Sequence, residues 1–317
     1  MYDIVGMGTA LIDFTPLSGR SGKRNAYEEN PGGSIANFLV AAAKQGAKTA
    51  ILAKVGRDTF GYDLKDAMDK AGVDTKGLVL DPEYHTSCSF VTLTPEGDRS
   101  FVFYNDDMAD AHYRELDYSV LDETKLLDIA SFALSGDESY RTIIRAIDYC
   151  REHGKLVSFD INWRERIWKG DIAKGRRRVE EVISKADIIK ASIEELEFIT
   201  GYGEDNLEKG VKALMAFGPR LILVTYGEKG SSYHTPVSSG YEKAVETVCV
   251  DTTGAGDCCF ASFISSLFSF RDDILSATDE ELQKALKTAN RAASICVSRR
   301  GGIPSMPDRE EVGEVTL

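Results

Sequence analysis

Short apolar runs that end in turn residues alternate along this chain with longer stretches of helical period, and nothing else limits its fold so tightly. Such alternation belongs to parallel strands joined by crossover helices. Leu156-Val157-Ser158-Phe159-Asp160 is apolar until its carboxyl end, as expected for a strand covered on both faces. Residues 2–8, 49–56, 188–191 and 221–226 read the same way. Between the strands, residues 33–46 are Ala-rich with apolar positions at helical spacing and stop at Gly46. Residues 62–71 form a helix ending at Gly72, and 258–270 an apolar one.

Two segments break the rhythm. Residues 13–30 hold Pro16 and a run of small residues with no helical period. Residues 87–104 read as a hairpin around Pro95-Glu96-Gly97-Asp98. Together they predict a small β-layer set apart from the α/β body, acting as a lid. The chain has 317 residues and no linker, repeat or low-complexity tract, so a single domain spanning 1–317 is expected.

A net charge of −13 opposes nucleic acid or an anionic membrane as partner. An acidic chain that binds a polyanion must do so through backbone amides and a few placed cations. Cys88, Cys150, Cys249, Cys258, Cys259 and Cys296 show no CxxC pair, which predicts free thiols in a reducing cytoplasm. No secretory signal is legible at the start, and no run approaches the ~18 apolar residues that span a bilayer.

Gly6-Met7-Gly8 follows a strand, but Leu11 stands where a dinucleotide-binding turn needs glycine or alanine. The pair reads instead as a tight turn that delivers Asp13 into the ligand crevice. No G-x-x-x-x-G-K-[ST] occurs, and His85, His112, His153 and His234 lack metal-ligand spacing. In Asn30-Pro31-Gly32-Gly33-Ser34-Ile35-Ala36-Asn37, two glycines precede a helix and let a ligand approach the backbone. Asn37 adds donor and acceptor atoms suited to a hydroxylated ligand. Asp251-Thr252-Thr253-Gly254-Ala255-Gly256-Asp257 opens the apolar helix, where free amides converge on an anion. A carboxylate directly after that anion hole fits a base that takes a proton from an attacking hydroxyl while the amides stabilise a phosphoryl group.

On these residues the chain resembles the ribokinase-like (PfkB) sugar kinases over essentially its full length. The amino-terminal match runs from Gly32-Gly33 through Asn37 to Lys54-Val55-Gly56-Arg57-Asp58-Thr59-Phe60-Gly61, and the carboxyl-terminal match is Asp251 to Asp257. The resemblance implies a three-layer α/β/α domain with a small β-sheet lid and direct transfer of the γ-phosphoryl of ATP to a sugar hydroxyl. It implies Asp257 as base and Gly254, Ala255 and Gly256 as anion hole. Asp13, Gly32, Gly33 and Asn37 are then sugar contacts, and Thr225, Gly227, Gly230 and Asn290 belong to the nucleotide site. The family's Asn-x-x-Glu element reads Ser192-Ile193-Glu194-Glu195, so Glu195 matches as a water-mediated Mg²⁺ partner while Ser192 departs. Asp251, Thr253, Cys296, Arg299, Gly301 and Ser305 match a K⁺ site built mostly of backbone oxygens.

Gly8 to Phe14 and Asp160-Ile161-Asn162-Trp163-Arg164 through Trp168 look most like bacterial fructokinases. That implies D-fructose as acceptor, fructose 6-phosphate as product and Arg164 as a further sugar or phosphate contact. Kinases for 2-keto-3-deoxygluconate share much of the pattern, and Arg164 suits a carboxylate as well. A nucleoside kinase and a non-catalytic sugar-binding regulator are the remaining alternatives. A homodimer through the lid is expected, because exposed strand edges invite pairing.

Overall fold

The computed structural model describes residues 1–17, 26–93, 99–104 and 107–313. The chain enters at β1 (Tyr2–Met7), leaves for β2 (Leu11–Pro16) and β3 (Tyr27–Gly32), and returns through α1 (Ser34–Lys44) to β4 (Thr49–Gly56). Helix α2 (Thr59–Lys70) and β5 (Leu78–Asp81) follow, then a second excursion, β6 (Cys88–Leu93) and β7 (Arg99–Tyr104). Short α3 (Tyr118–Asp122) leads into β8 (Thr124–Ala130), α4 (Asp137–Glu152), β9 (Leu156–Asp160), α5 (Ile172–Ile183) and β10 (Ile188–Ser192). The rest is α6 (Ile193–Thr200), α7 (Leu207–Met215), β11 (Leu221–Thr225), β12 (Gly230–His234), β13 (Ser239–Lys243), α8 (Ala255–Phe270), α9 (Asp279–Val297) and α10 (Arg309–Val312).

Among the described residues the main sheet runs β13-β12-β11-β10-β9-β8-β1-β4-β5. Strands β11 to β5 are parallel, and β12 and β13 add an antiparallel edge. The chain winds outward from β1 to β5, then jumps back to β8 on the other side. That reversal opens a crevice beyond the carboxyl ends of β1 and β8, where open α/β sheets bind ligands.

Strand alternation divides the core. In β4, Ile51, Ala53 and Val55 pack with α1, α2, α8 and α9, while Ala50 and Leu52 face the layer of α4, α5, α6 and α7. Both faces are therefore apolar, which accounts for the continuous runs in the sequence. Gly6 has a packing reason: a methyl group there would stand 2.8 Å from Leu39, so its absence lets α1 lie close on β1.

A second sheet has the order β3-β2-β6-β7. Asp13 pairs with Asn30 across the antiparallel β2–β3 ladder and with Ser89 across the parallel β2–β6 ladder. By alternation Phe14, Phe90, Val102 and Tyr104 share the outer face, while Asp13, Ser89 and Phe103 share the inner one. Phe14 and Phe90 stack at 4.7 Å. Asp58 ties this sheet to the body: it caps α2 at the Gly61 amide (2.9 Å) and accepts from the Thr86 amide (2.9 Å) and hydroxyl (2.7 Å). Part of the amino-terminal motif is thus structural. Of the predicted β-layer, residues 18–25 and the turn at Pro95-Glu96-Gly97-Asp98 lie outside the described residues. Asp13 itself lies within β2, which follows the Gly6-Met7-Gly8 turn.

Candidate active site

Helix α8 begins at Ala255, earlier than its apolar run, which puts Asp257 in the first turn. Gly254 precedes it in the left-handed conformation (φ 77°), and no side chain caps the helix. Helix α1 begins at Ser34 after Gly33, also at positive φ (93°) and also uncapped. The two amino-termini face each other across one carboxylate. Asp257 Oδ1 accepts from Ser34 Oγ at 2.7 Å and Oδ2 from Asn37 Nδ2 at 2.9 Å. Two converging helix amino-termini favour negative charge at that point.

A third side chain completes the grip. Asn162, a non-glycine residue at φ 34°, donates from Nδ2 to Ser34 Oγ (2.7 Å) and reaches Asp257 Oδ1 (3.5 Å). Its amide donates to Asp160 Oδ1 (3.1 Å), and its carbonyl accepts from Ser131 Oγ (3.0 Å). Positive φ outside glycine costs free energy and persists only when the surroundings hold it. Here four partners do.

These groups line a cavity of roughly 200 Å³ with Thr9, Asp13, Gly33, Thr252, Thr253 and Gly254 on its polar side. Phe101 and Phe103 from β7 and Phe132 supply an apolar wall, and Arg164 closes one side. Asp13 accepts from Ser89 Oγ. Burial, helped by the charges of Asp257 and Asp251 and opposed by Ser89, pushes the Asp13 carboxyl up to about 6. Gly32 abuts it, since a methyl group there would lie 2.7 Å from Asp13 Oδ2. Asn37 Oδ1 is buried with no protein partner, an acceptor open to a ligand hydroxyl. Ala255 is less open than expected, because its amide donates to Thr252 O at 3.2 Å.

The other predicted residues fall into separate groups. Thr225 ends β11 beside Ser192 of β10, with Gly227 just beyond it. They adjoin Glu195 rather than the cavity holding Asp257. Gly230 has a backbone reason: a methyl group there would stand 2.1 Å from Glu242 O. Asn290 accepts from Ser231 Oγ (2.6 Å) and donates to Glu242 O (2.8 Å), so its amide is occupied in holding the β12–β13 hairpin.

Glu195 closes a capping box on α6, accepting from the Ser192 amide at 2.7 Å with Oε2, and from the Trp163 amide at 2.8 Å with Oε1. Each oxygen retains a lone pair, which suits a hydrated ion. No cluster of three or more acidic, Cys or His ligands exists among the described residues, so a cation held directly by such side chains has no ready cage.

Asp251 Oδ1 accepts from the Thr253 amide (2.8 Å) and Oδ2 from the Gly301 amide (3.2 Å). Cys296 Sγ lies 3.1 Å from Ser305 Oγ and 3.8 Å from Thr253 O. These five residues of the expected cation site come together beside Gly254. The Arg299 guanidinium instead pairs with Glu311, which leaves only its backbone for that site.

The nine-stranded α/β sheet, its crevice and the separate four-stranded sheet define a ribokinase-like fold, with the Gly254-to-Asp257 turn lining the cavity. The pfkB family carbohydrate kinase profile matches residues 1–309. The chain belongs to that family of sugar kinases.

It is 37% identical over 320 residues to the Arabidopsis thaliana protein named "Probable fructokinase-6, chloroplastic", covering 99% of this chain and 82% of the relative. The crystal structure of ATP-bound fructokinase from Xylella fastidiosa superposes with a TM-score of 0.87 at 25% identity, over 98% of this chain and 97% of that one. A double mutant of the Vibrio cholerae O395 fructokinase, bound to fructose, ADP and potassium, gives 0.86 at 30% identity over 98% and 97%.

Sequence reading missed Ser34, Asn162 and the phenylalanine wall. Ser34 stood inside a recognised motif but was given no role of its own. Asn162 carried no local sign of its backbone conformation.

Proposed function

We propose that this chain phosphorylates D-fructose with ATP, giving fructose 6-phosphate. The observation that carries the reading is the Asp257 carboxylate, held by Ser34 and Asn37 where two uncapped helix amino-termini meet a polar cavity. Asp257 takes the proton from the attacking hydroxyl, and the Gly254 and Gly256 amides, on either side of the Ala255 amide that Thr252 O already holds, receive charge on the transferred phosphoryl. Asp13 and the open Asn37 Oδ1 orient the sugar hydroxyls, with Gly32 and Gly33 leaving room for them. Thr225 and Gly227 border the nucleotide, and Gly230 and Asn290 act through the hairpin they brace. Mg²⁺, when bound, neutralises phosphate charge. Glu195 would hold it through water, and the Asp251–Ser305 group would hold a K⁺ ion. The X. fastidiosa and V. cholerae fructokinases carry ATP, or fructose with ADP and potassium, which supports this set of ligands.

The second sheet is the lid of this single-domain enzyme. Arg166 donates to Phe101 O at 3.1 Å, tying β7 over the cavity, and closure excludes water as a competing acceptor. Two lids pair in a homodimer. No helix among the described residues is long and apolar enough to cross a membrane. The six free cysteines support a reducing cytoplasm, although the Arabidopsis relative is named chloroplastic.

One observation favours a second acceptor. Arg164 faces the cavity, and among the described residues its guanidinium donates a hydrogen bond to Trp163 O at 3.0 Å. It could receive a carboxylate in bidentate fashion, as a sugar acid such as 2-keto-3-deoxygluconate would require. ADP release measured over fructose, other sugars, 2-keto-3-deoxygluconate and nucleosides decides between them. Fructose should give the highest kcat/KM, and a preference for the keto-acid would transfer the reading to a sugar-acid kinase.

A further inference from the structure

Behind Gly256 lies a charge that the reading above leaves unused. Lys190, on β10, is buried, and its Nζ donates to both oxygens of Asp160 at 3.0 and 3.3 Å. A methyl group on Gly256 would stand only 3.1 Å from that Nζ, so the missing side chain alone separates the ammonium from the first turn of α8. Burial works against the charge, but the carboxylates of Asp160, Glu195 and Asp257 outweigh it and push Lys190 up. Asp128, buried next to this corner, accepts from Ser158 Oγ at 2.5 Å. Asp160 Oδ1 also takes the Asn162 amide at 3.1 Å, so Lys190, Asp160, Asn162, Ser34 and Asp257 form one continuous network.

A buried ion pair is a poor stabiliser, because desolvation offsets most of its Coulombic gain. This pair lies against the turn where a phosphoryl group would be transferred. We propose that Lys190 is a positioning charge for phosphoryl transfer: its ammonium, fixed on Asp160 behind Gly256, stabilises the negative charge that gathers on the phosphoryl oxygens at the α8 amino-terminus. A charge held in place in a dry site costs no reorganisation as the reaction proceeds. Asp160 keeps the ammonium from collapsing onto Asp257. Gly256 lacks a side chain so that nothing stands between the charge and the turn. The inference rests on the kinase reading and holds for any acceptor.

The test separates charge from architecture. Lys190→Met should lower kcat by roughly 10²-fold, the scale of losing one preorganised charge-stabilising group, with the sugar KM within threefold. Asp160→Asn/Lys190→Met removes both charges yet keeps an acceptor for the Asn162 amide. If Lys190 serves transfer, the double variant melts like wild type and stays more than tenfold slow. If it comes within tenfold of wild-type kcat, Lys190 is half of a structural pair and the proposal falls. Should the variants not fold, the wild-type Lys190 Nζ resonance is followed by ¹⁵N NMR as ADP, Mg²⁺, tetrafluoroaluminate and sugar are added. A shift on forming that phosphoryl mimic is expected, and an unmoved resonance overturns the proposal. Failure of wild type to release ADP with any acceptor would instead sink the kinase reading, independently of either result.

Discussion

Asp257 and Asp13 are both buried acids in one cavity, and their surroundings assign them different work. Asp257 accepts from Ser34 and Asn37 at the meeting point of two helix amino-termini. Asp257→Asn should lower kcat about 10²–10⁴-fold while sugar and nucleotide still bind by equilibrium dialysis. The fold should tolerate it, because the Asn37 amide can turn its free Oδ1 toward the new NH₂. In the proposed role, Asp13, pushed up to about 6 by burial, must ionise to accept sugar hydroxyls fully. Sugar KM should therefore rise as pH falls through about 6, and Asp13→Asn should flatten that limb. Stability follows the same linkage. The folded value lies above the ordinary 3.8, so the fold favours protonated Asp13; this contribution is complete below 3.8 and lost as pH rises through about 6. Ionised Asp13 then costs about 2–3 kcal/mol, and Asp13→Asn should raise the melting temperature more at pH 8 than at pH 5.

The elements that place these residues depend on a turn that only glycine fits. Gly33 has φ 93°, and a methyl group there would meet backbone: Thr9 O at 2.6 Å and Ala10 Cα at 2.9 Å. Neither atom can move without shifting β2 and the start of α1. Gly33→Ala should cost about 1–3 kcal/mol in chemical denaturation and lower kcat/KM, since Ser34 moves with it. Gly72 is the control: it has φ 89° but open space around it, so Gly72→Ala should cost stability and leave kinetics unchanged. The amino-terminal glycine motif is therefore a spacing device between α1 and β2 as much as a ligand contact.

At the scale of the molecule, the four-stranded sheet proposed as a lid leaves aromatic and aliphatic surface facing out. Val102 is 40% and Tyr104 56% exposed, on the face where Phe14 and Phe90 stack. Among the described residues no further strand pairs with β3 or β7, although Arg166 reaches Phe101 O on β7. Sedimentation should find a dimer, and Val102→Lys should give a monomer with an unchanged melting temperature. A monomeric wild type would refute the lid-mediated dimer. An overall charge of −13 repels a nucleotide at long range. Affinity for it must come from local donors, so it should depend weakly on salt compared with a steered, basic site.

The amino acids by themselves determined the layered α/β architecture, because strands buried on both faces must be apolar throughout and crossover helices must be amphipathic. They also determined the Asp251-to-Asp257 turn, since glycine, glycine and a carboxylate within seven consecutive residues need no distant partner to be read. What they left open was everything assembled across the fold. Ser34 and Asp257 stand 223 positions apart, and Asn162 and Asp257 95 apart. Lys190 lies in an apolar strand, and its place behind Gly256 exists only once β10 and α8 are brought together. Asn290, matched to the nucleotide site, turned out to brace a hairpin whose strands were not read as strands at all. Local chemistry writes helices, strands and turns into the chain because neighbouring residues suffice to form them. Which side chains share a cavity is decided only when loop closure and packing bring distant segments into contact, and no local pattern encodes that encounter.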